Sequence, residues 1–253
     1  MKTTKINILL FVAMLTAASL FSGELPSAED IIAKFVRIAG DEAALQNIKN
    51  RLTKSTFEIM NQGISFDMTI RSEMPSSFHM IMSSEQFGTI EKYLNGDLAW
   101  EYSAIKGPRL IEGTEKNDLL REARFDKWVN WQEFYDAAET LGEEMVGSDA
   151  CYKVKLVQKD GQFQTLYFAQ ESGLLLKLEA KMNTDMGAVS FETMLSDYRQ
   201  VDGLMLPFKT TVRVLNQTRI VTVNELKHNQ DFSLKDIETP EEVKLLLAQS
   251  AKK

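Results

Sequence analysis

A chain of 253 residues with 44% hydrophobic and 26% charged positions has the composition of a folded globular protein, not of a disordered, collagenous or coiled-coil chain. One Cys excludes an internal disulfide framework and a multi-Cys metal site, and two His are too few for a three-His zinc site. A formal charge of −7 argues against a broad phosphate-binding surface, so nucleic acid is not an expected partner.

The first segment reads as an address. Lys2 and Lys5 precede an apolar run from Ile8 to about Phe21, and small residues follow at Ser22 and Gly23. This is the pattern of a secretory signal peptide over residues 1–23, with cleavage after Ser19, Ser22 or Gly23. The apolar run is short for a bilayer span, which needs roughly 20 residues; an uncleaved anchor is the alternative. No Cys lies nearby for lipid attachment. The expected product is one domain, residues 24–253, free in the periplasm or outside the cell. Without Lys2 and Lys5 it carries 27 basic against 36 acidic residues, a charge of −9 that favours solubility and opposes electrostatic docking on an anionic membrane.

In chain order, Ser27 caps a helix whose apolar stripe is Ile31, Ile32, Phe35, Val36 and Ile38, stopped by Gly40. A short second helix is predicted from Asp41 to Ile48. From Leu52 the period becomes two. Ile64, Phe66, Met68 and Ile70 alternate with polar residues after the Asn61-Gln62-Gly63 turn, and Phe78, Met80 and Met82 continue on another strand. Thr89–Leu94 and Leu98–Ser103 are strands joined by Asn95-Gly96-Asp97. Two helices are predicted between about Glu115 and Thr140, the second from Trp128, Trp131, Phe134 and Tyr135 at helical spacing. Strands resume over 152–157, 162–169, 174–180, 188–197, 206–215 and 218–227, and Pro240 opens a last helix. The fold class is mainly β (α+β): roughly eleven antiparallel strands, curled into a barrel or half-barrel.

Four stretches carry a resemblance. They are Ser27-Ala28-Glu29-Asp30-Ile31-Ile32-Ala33-Lys34-Phe35 after the leader, Asn95-Gly96-Asp97-Leu98-Ala99-Trp100-Glu101, Tyr167-Phe168-Ala169-Gln170-Glu171-Ser172-Gly173-Leu174-Leu175, and Asp197-Tyr198-Arg199-Gln200-Val201-Asp202-Gly203-Leu204-Met205-Leu206-Pro207-Phe208. With these the mature chain, up to about Asn229, resembles the periplasmic lipoprotein-carrier (LolA/LolB-like) superfamily, and exported proteins of the outer-membrane lipoprotein-sorting type. The resemblance implies a curved antiparallel sheet with lid helices on its concave side and an apolar cavity for acyl chains between them. It also implies a basic strand residue that holds the lid closed, to which no position is matched. The helix after Pro240 departs from the simplest version of this pattern.

The residues admit plain readings beside the functional ones. Trp128, Trp131 and Phe134 are either core or the inner face of a lid. The Met-rich strands are either ordinary core or an adaptable apolar site. His79, opposite in phase to Phe78 and Met80, is expected to face solvent, and neither it nor His228 has a ligand partner at useful spacing. Cys151 is expected to be an inert small residue. Asp197 and Arg199 can pair on one strand face. No Gly-x-Ser-x-Gly elbow, phosphate loop or metal set is present. The expected function is therefore a monomeric, non-enzymatic periplasmic carrier for lipids or lipoprotein acyl chains, without cofactor or metal, served by membrane-associated donor and acceptor proteins. Its cavity residues by strand phase are Phe66, Met68, Ile70, Phe78, Met80, Met82 and Trp100, with Trp128, Trp131 and Phe134 from the lid. The alternatives are a protein-interaction module on the same half-barrel and a hydrolase or lyase, for which the sequence offers no constellation.

Overall fold

The computed structural model describes residues 24–184 and 187–250; the expected leader over residues 1–23 lies outside the described residues. Helix α1 (Ala28–Ala39) starts where the Ser27 side chain accepts a hydrogen bond from Asp30 N at 3.1 Å, with Glu29 and Asp30 at the positive end of its dipole. It buries Ile31, Ile32 and Phe35, each worth about 1.5–3 kcal/mol relative to exposure. Asp41 caps α2 (Glu42–Leu45), a single turn shorter than the predicted helix because Ile48 turns into the core just before the first strand.

Strands β1 (Asn50–Ile59), β2 (Ile64–Glu73), β3 (Ser77–Ser84), β4 (Gly88–Asn95), β5 (Leu98–Ser103) and β6 (Gly107–Leu110) form one meander. Helix α3 (Gly113–Ala123) and a turn-rich stretch lead to a second meander. It comprises β7 (Tyr135–Val146), β8 (Asp149–Gln158), β9 (Phe163–Ala169), β10 (Leu175–Thr184), β11 (Gly187–Val201), β12 (Leu204–Val214) and β13 (Gln217–His228), and helix α4 (Glu241–Ser250) comes last. The two meanders join where β1 pairs with β13, giving one 13-stranded sheet, antiparallel throughout, with β6 and β7 at its ends. The sheet is a curved, unclosed half-barrel. It has more strands than the roughly eleven expected because two edge strands leave little trace in the sequence. β6 is short and carries Pro108, and β7 breaks its alternation with irregularities at Tyr135/Ala137 and Thr140/Gly142.

Register fixes the faces. Phe57 lies opposite Phe66, Met68 opposite Met82, Ile70 opposite Met80, and Ser72 opposite Phe78, so these side chains share the concave face. Two helices cover that face. α1 packs on Val154, Leu156, Leu166 and Phe168, while Leu119, Leu120 and Ala123 of α3 pack on Phe78, Leu94 and Ala99. α4 lies on the other, outer face, its Val243 against Tyr93 and Trp100.

The second predicted middle helix does not form. Residues 125–130 make turns closed onto the Asp126 carbonyl, Trp131–Glu133 is one 3-10 turn, and Tyr135 already belongs to β7. The aromatic spacing matches a helix, yet Trp128, Trp131 and Phe134 reach the α1 cluster from turns and Tyr135 from the first position of β7. His79 points to the outer face as its phase requires, but it is buried there. Its Nε2 lies 2.6 Å from Glu91 Oε1, and the segment before α4 covers it, anchored by Tyr93 OH donating to Leu234 O at 2.8 Å. Cys151 is buried, and burial pushes its thiol pKa up, which keeps it protonated.

Two turns hold α1 in place. Lys34 Nζ donates to Gln170 O at 2.6 Å in the β9–β10 turn, and Gly40 abuts Leu204 beside the β11–β12 turn. A Cβ at Gly40 would lie 2.2 Å from Leu204 Cδ2, at a φ of 141°. Gly40→Ala should therefore lower stability by about 1–3 kcal/mol, read as a fall in the urea midpoint. Gly96→Ala, with positive φ but nothing within 4 Å of the new Cβ, should cost less.

Candidate functional site

Between the α1 cluster and the α3 cluster the concave face is not filled. A cavity of about 560 Å³ lies there, lined by Phe35, Val36 and Ala39 of α1, Phe125, Trp128 and Val129 of the lid stretch, and Leu178, Phe191, Leu195 and Leu206 of β10–β12. A recess of about 510 Å³ adjoins it through the shared residues Leu45, Phe125 and Val129. Volumes of this size suit a small apolar molecule or an alkyl chain.

The ten candidate residues divide into three groups. Phe66, Met68, Ile70, Phe78, Met80 and Met82 lie together on the concave face, but on the α3 side, outside the lining of the larger cavity. Trp128 lines the cavity, and its ring meets Phe35 edge-on at 5.7 Å; Trp131 and Phe134 pack in the cluster beneath. Trp100 is on the wrong face. The turn at residues 96–97 pairs Leu94 with Ala99 and Tyr93 with Trp100, so Ala99 points inward and Trp100 stacks on Tyr93 at 5.4 Å under α4. A one-residue difference in phase is enough to make this exchange.

Sequence reasoning missed the polar centre of the site. Arg51, at the start of β1, lines the cavity, its guanidinium 5.0 Å from the centre of the Phe125 ring in the lid. Its Nε donates to His228 Nε2 at 3.0 Å. That bond requires an unprotonated Nε2, so the ring proton sits on Nδ1 and is donated to Asp202 Oδ2 at 2.8 Å. His228 is neutral, and burial lowers its pKa from 6.5; the Asp202 bond opposes this and the Arg51 charge adds to it. Burial also brings the Arg51 pKa down to about 10, which leaves it charged at neutral pH. No motif marks this group, because β1 and β13 supply its members from opposite ends of the chain.

The lid repeats one device. Arg121, Arg124 and Lys127 lie over Tyr135, Phe134 and Trp128 at 6.0, 5.6 and 5.9 Å. Each also pairs with an acid of the same stretch: Arg121 with Asp118 at 2.6 Å, Arg124 with Asp126 at 2.5 Å and Lys127 with Glu122 at 3.0 Å. Lys127 holds the Glu122 carboxyl below its usual range. Burial would raise Asp126, but the Arg124 bonds outweigh it and hold Asp126 low. Apart from Arg121 on Tyr135 at the start of β7, these contacts lie within the lid stretch and brace it against itself, whereas Arg51 on Phe125 ties it to β1. Asp197 and Arg199 pair with each other at 2.7 Å on the exposed surface, away from the cavity. Among the described residues, no group of three or more His, Cys, Asp or Glu is placed to hold a metal ion.

No protein-family model and no curated protein matches the chain. Solved structures do. A DUF1329 family protein from Desulfovibrio piger is 15% identical, over 81% of this chain and 95% of that one, with a TM-score of 0.57. A LolA superfamily protein from Nitrosomonas europaea is 14% identical, over 85% and 99%, with a TM-score of 0.58. A domain described as an outer membrane lipoprotein-sorting protein, from Vibrio parahaemolyticus, is 12% identical, over 83% and 95%, with a TM-score of 0.55. At these identities the likeness is one of fold. The fold is LolA/LolB-like: a curved antiparallel sheet with helices on its concave side.

Two outcomes are expected from the Arg51 group. Between pH 6.5 and the lower folded pKa of His228 the unfolded chain binds more protons than the folded one. Stability is therefore complete above that window and lost as pH falls through it. His228 should titrate below 6.5 by NMR, and His228→Gln should flatten the fall in urea midpoint across the same range. Arg51→Met removes the contact with Phe125, and amide exchange over residues 113–130 should rise about tenfold while that of α1 changes little.

Proposed function

We propose that the protein is a non-enzymatic carrier or binding protein for lipids or lipoprotein acyl chains, acting as a monomer in the periplasm. The cavity of about 560 Å³ between the sheet and its lid carries this reading. Its walls are largely apolar, and its charged groups are already paired in the lid or on the sheet. An alkyl chain entering it leaves water at roughly 0.8 kcal/mol per methylene, with no bond made or broken. Arg51 is the latch: a basic strand residue that grips Phe125 and so keeps the lid on the sheet. Opening requires that contact to be given up, and Trp128 then moves away from Phe35. Membrane-associated donor and acceptor proteins would load and unload the cargo. The leader pattern of residues 1–23 supports the compartment, and the LolA superfamily and lipoprotein-sorting proteins of like fold support the cargo class.

Solvent extraction of the purified protein followed by mass spectrometry should recover a stoichiometric lipid or acylated species. An empty extract after incubation with lipid vesicles would overturn the reading. Leu195→Trp, which fills the cavity from β11, should weaken a fluorescent fatty-acid probe about tenfold, the equivalent of roughly two methylenes.

A further inference from the structure

Four neighbouring hairpins, β12–β13, β1–β2, β3–β4 and β5–β6, end on the same rim of the half-barrel, because neighbouring strands of the sheet are antiparallel. Their tips are continuous. Met60 N donates to Thr218 O at 2.8 Å, the Phe87 ring lies 5.9 Å from Phe66, and Ala104 N donates to Thr89 O at 3.0 Å. Each tip presents a large apolar side chain: Leu215 is 72% exposed, Ile105 70% and Met60 42%, with Phe87 half-buried between them.

The same tips are nearly free of charge. No charged residue falls from Ile59 to Ile64 or from Leu215 to Thr218, and Glu85 and Lys106 in the other two turns offset each other. Turns of the opposite rim carry Asp97, Glu171 and Asp202. Leu215 is also held at a φ of 53°, where Asn or Gly is easier to place. Folding gains nothing from an exposed leucine in that conformation, and solubility loses by it.

We propose that this rim docks on a lipid bilayer, with Met60, Ile105 and Leu215 entering the interfacial layer while the acidic body stays in water. An apolar edge with balanced charge suits an electrically neutral lipid surface, which an acidic chain can approach without repulsion. The proposal goes beyond the carrier reading and does not depend on the cavity being filled.

The test is flotation of the purified protein with phosphatidylcholine vesicles at low and high salt. The protein should float at both. Met60→Asp, Ile105→Asp and Leu215→Asp should each lower the bound fraction about tenfold. Leu245→Asp, at an exposed position on α4, should leave it unchanged. Circular dichroism and uptake of a free fatty-acid probe are measured on the same variants. Variants that stay folded and take up the probe but no longer float support the rim. The proposal is overturned by failure of the unmodified protein to float, by rim variants that float normally, or by binding that needs anionic lipid and vanishes in salt. A dimer in sedimentation that the rim variants dissociate would also overturn it, in favour of a second copy of the chain. Loss of probe uptake in the unmodified protein, with flotation intact, would count against the carrier reading alone.

Discussion

The rest of the structure follows from one topological constraint: the two free edges of the sheet, β6 and β7, are consecutive in the chain. The residues between them must travel from one edge of a half-barrel to the other, and the short way is across the concave side. A stretch in that position cannot be a surface loop. It must bury something, and it has α3 for one half of the face and the aromatic turns around Trp131 for the other. With α1 already on the second half, the two covers meet imperfectly over the central strands, and the space left is the cavity.

The crossing segment is held by a polar contact from the sheet as well as by apolar packing. Arg51 reaches Phe125 from the seam of the two meanders, and its own orientation depends on His228 from β13 and, through it, on Asp202 from the β11–β12 turn. The joint that unites the sheet is therefore also the joint that holds the lid. α1 is fixed differently, by a lysine on backbone carbonyls away from the cavity and by a glycine pressed against Leu204 in the cavity wall.

Much of the fold could be read from local chemistry. Capping at Ser27, alternation from Ile64 to Ile70, and the turn at residues 61–63 reflect interactions within a few residues, and the corresponding elements formed where expected. What could not be read depends on distant partners. The stretch around Trp131 looks helical because aromatic spacing records a shared destination and not the backbone that reaches it. Trp100 faces outward because a turn register decides it, and no property of its own opposes either face. The concave residues Phe66 to Met82 were visible through their period, whereas Arg51 and His228 were not, since their meeting requires β1 to find a strand that begins 158 positions after Ile59, at Gln217.

That pairing bears on how the molecule is made. The apolar face of α1 is complete by residue 39, but the strands it rests on run from Asp149 to Val201. As synthesis proceeds, Ile31, Ile32 and Phe35 have no native surface to cover until the second meander has emerged. β1 likewise waits for β13 with one of its ladders open. Such long-range closure is slow and leaves sticky intermediates exposed. The nascent chain is then a natural client for a holdase until its last strand arrives.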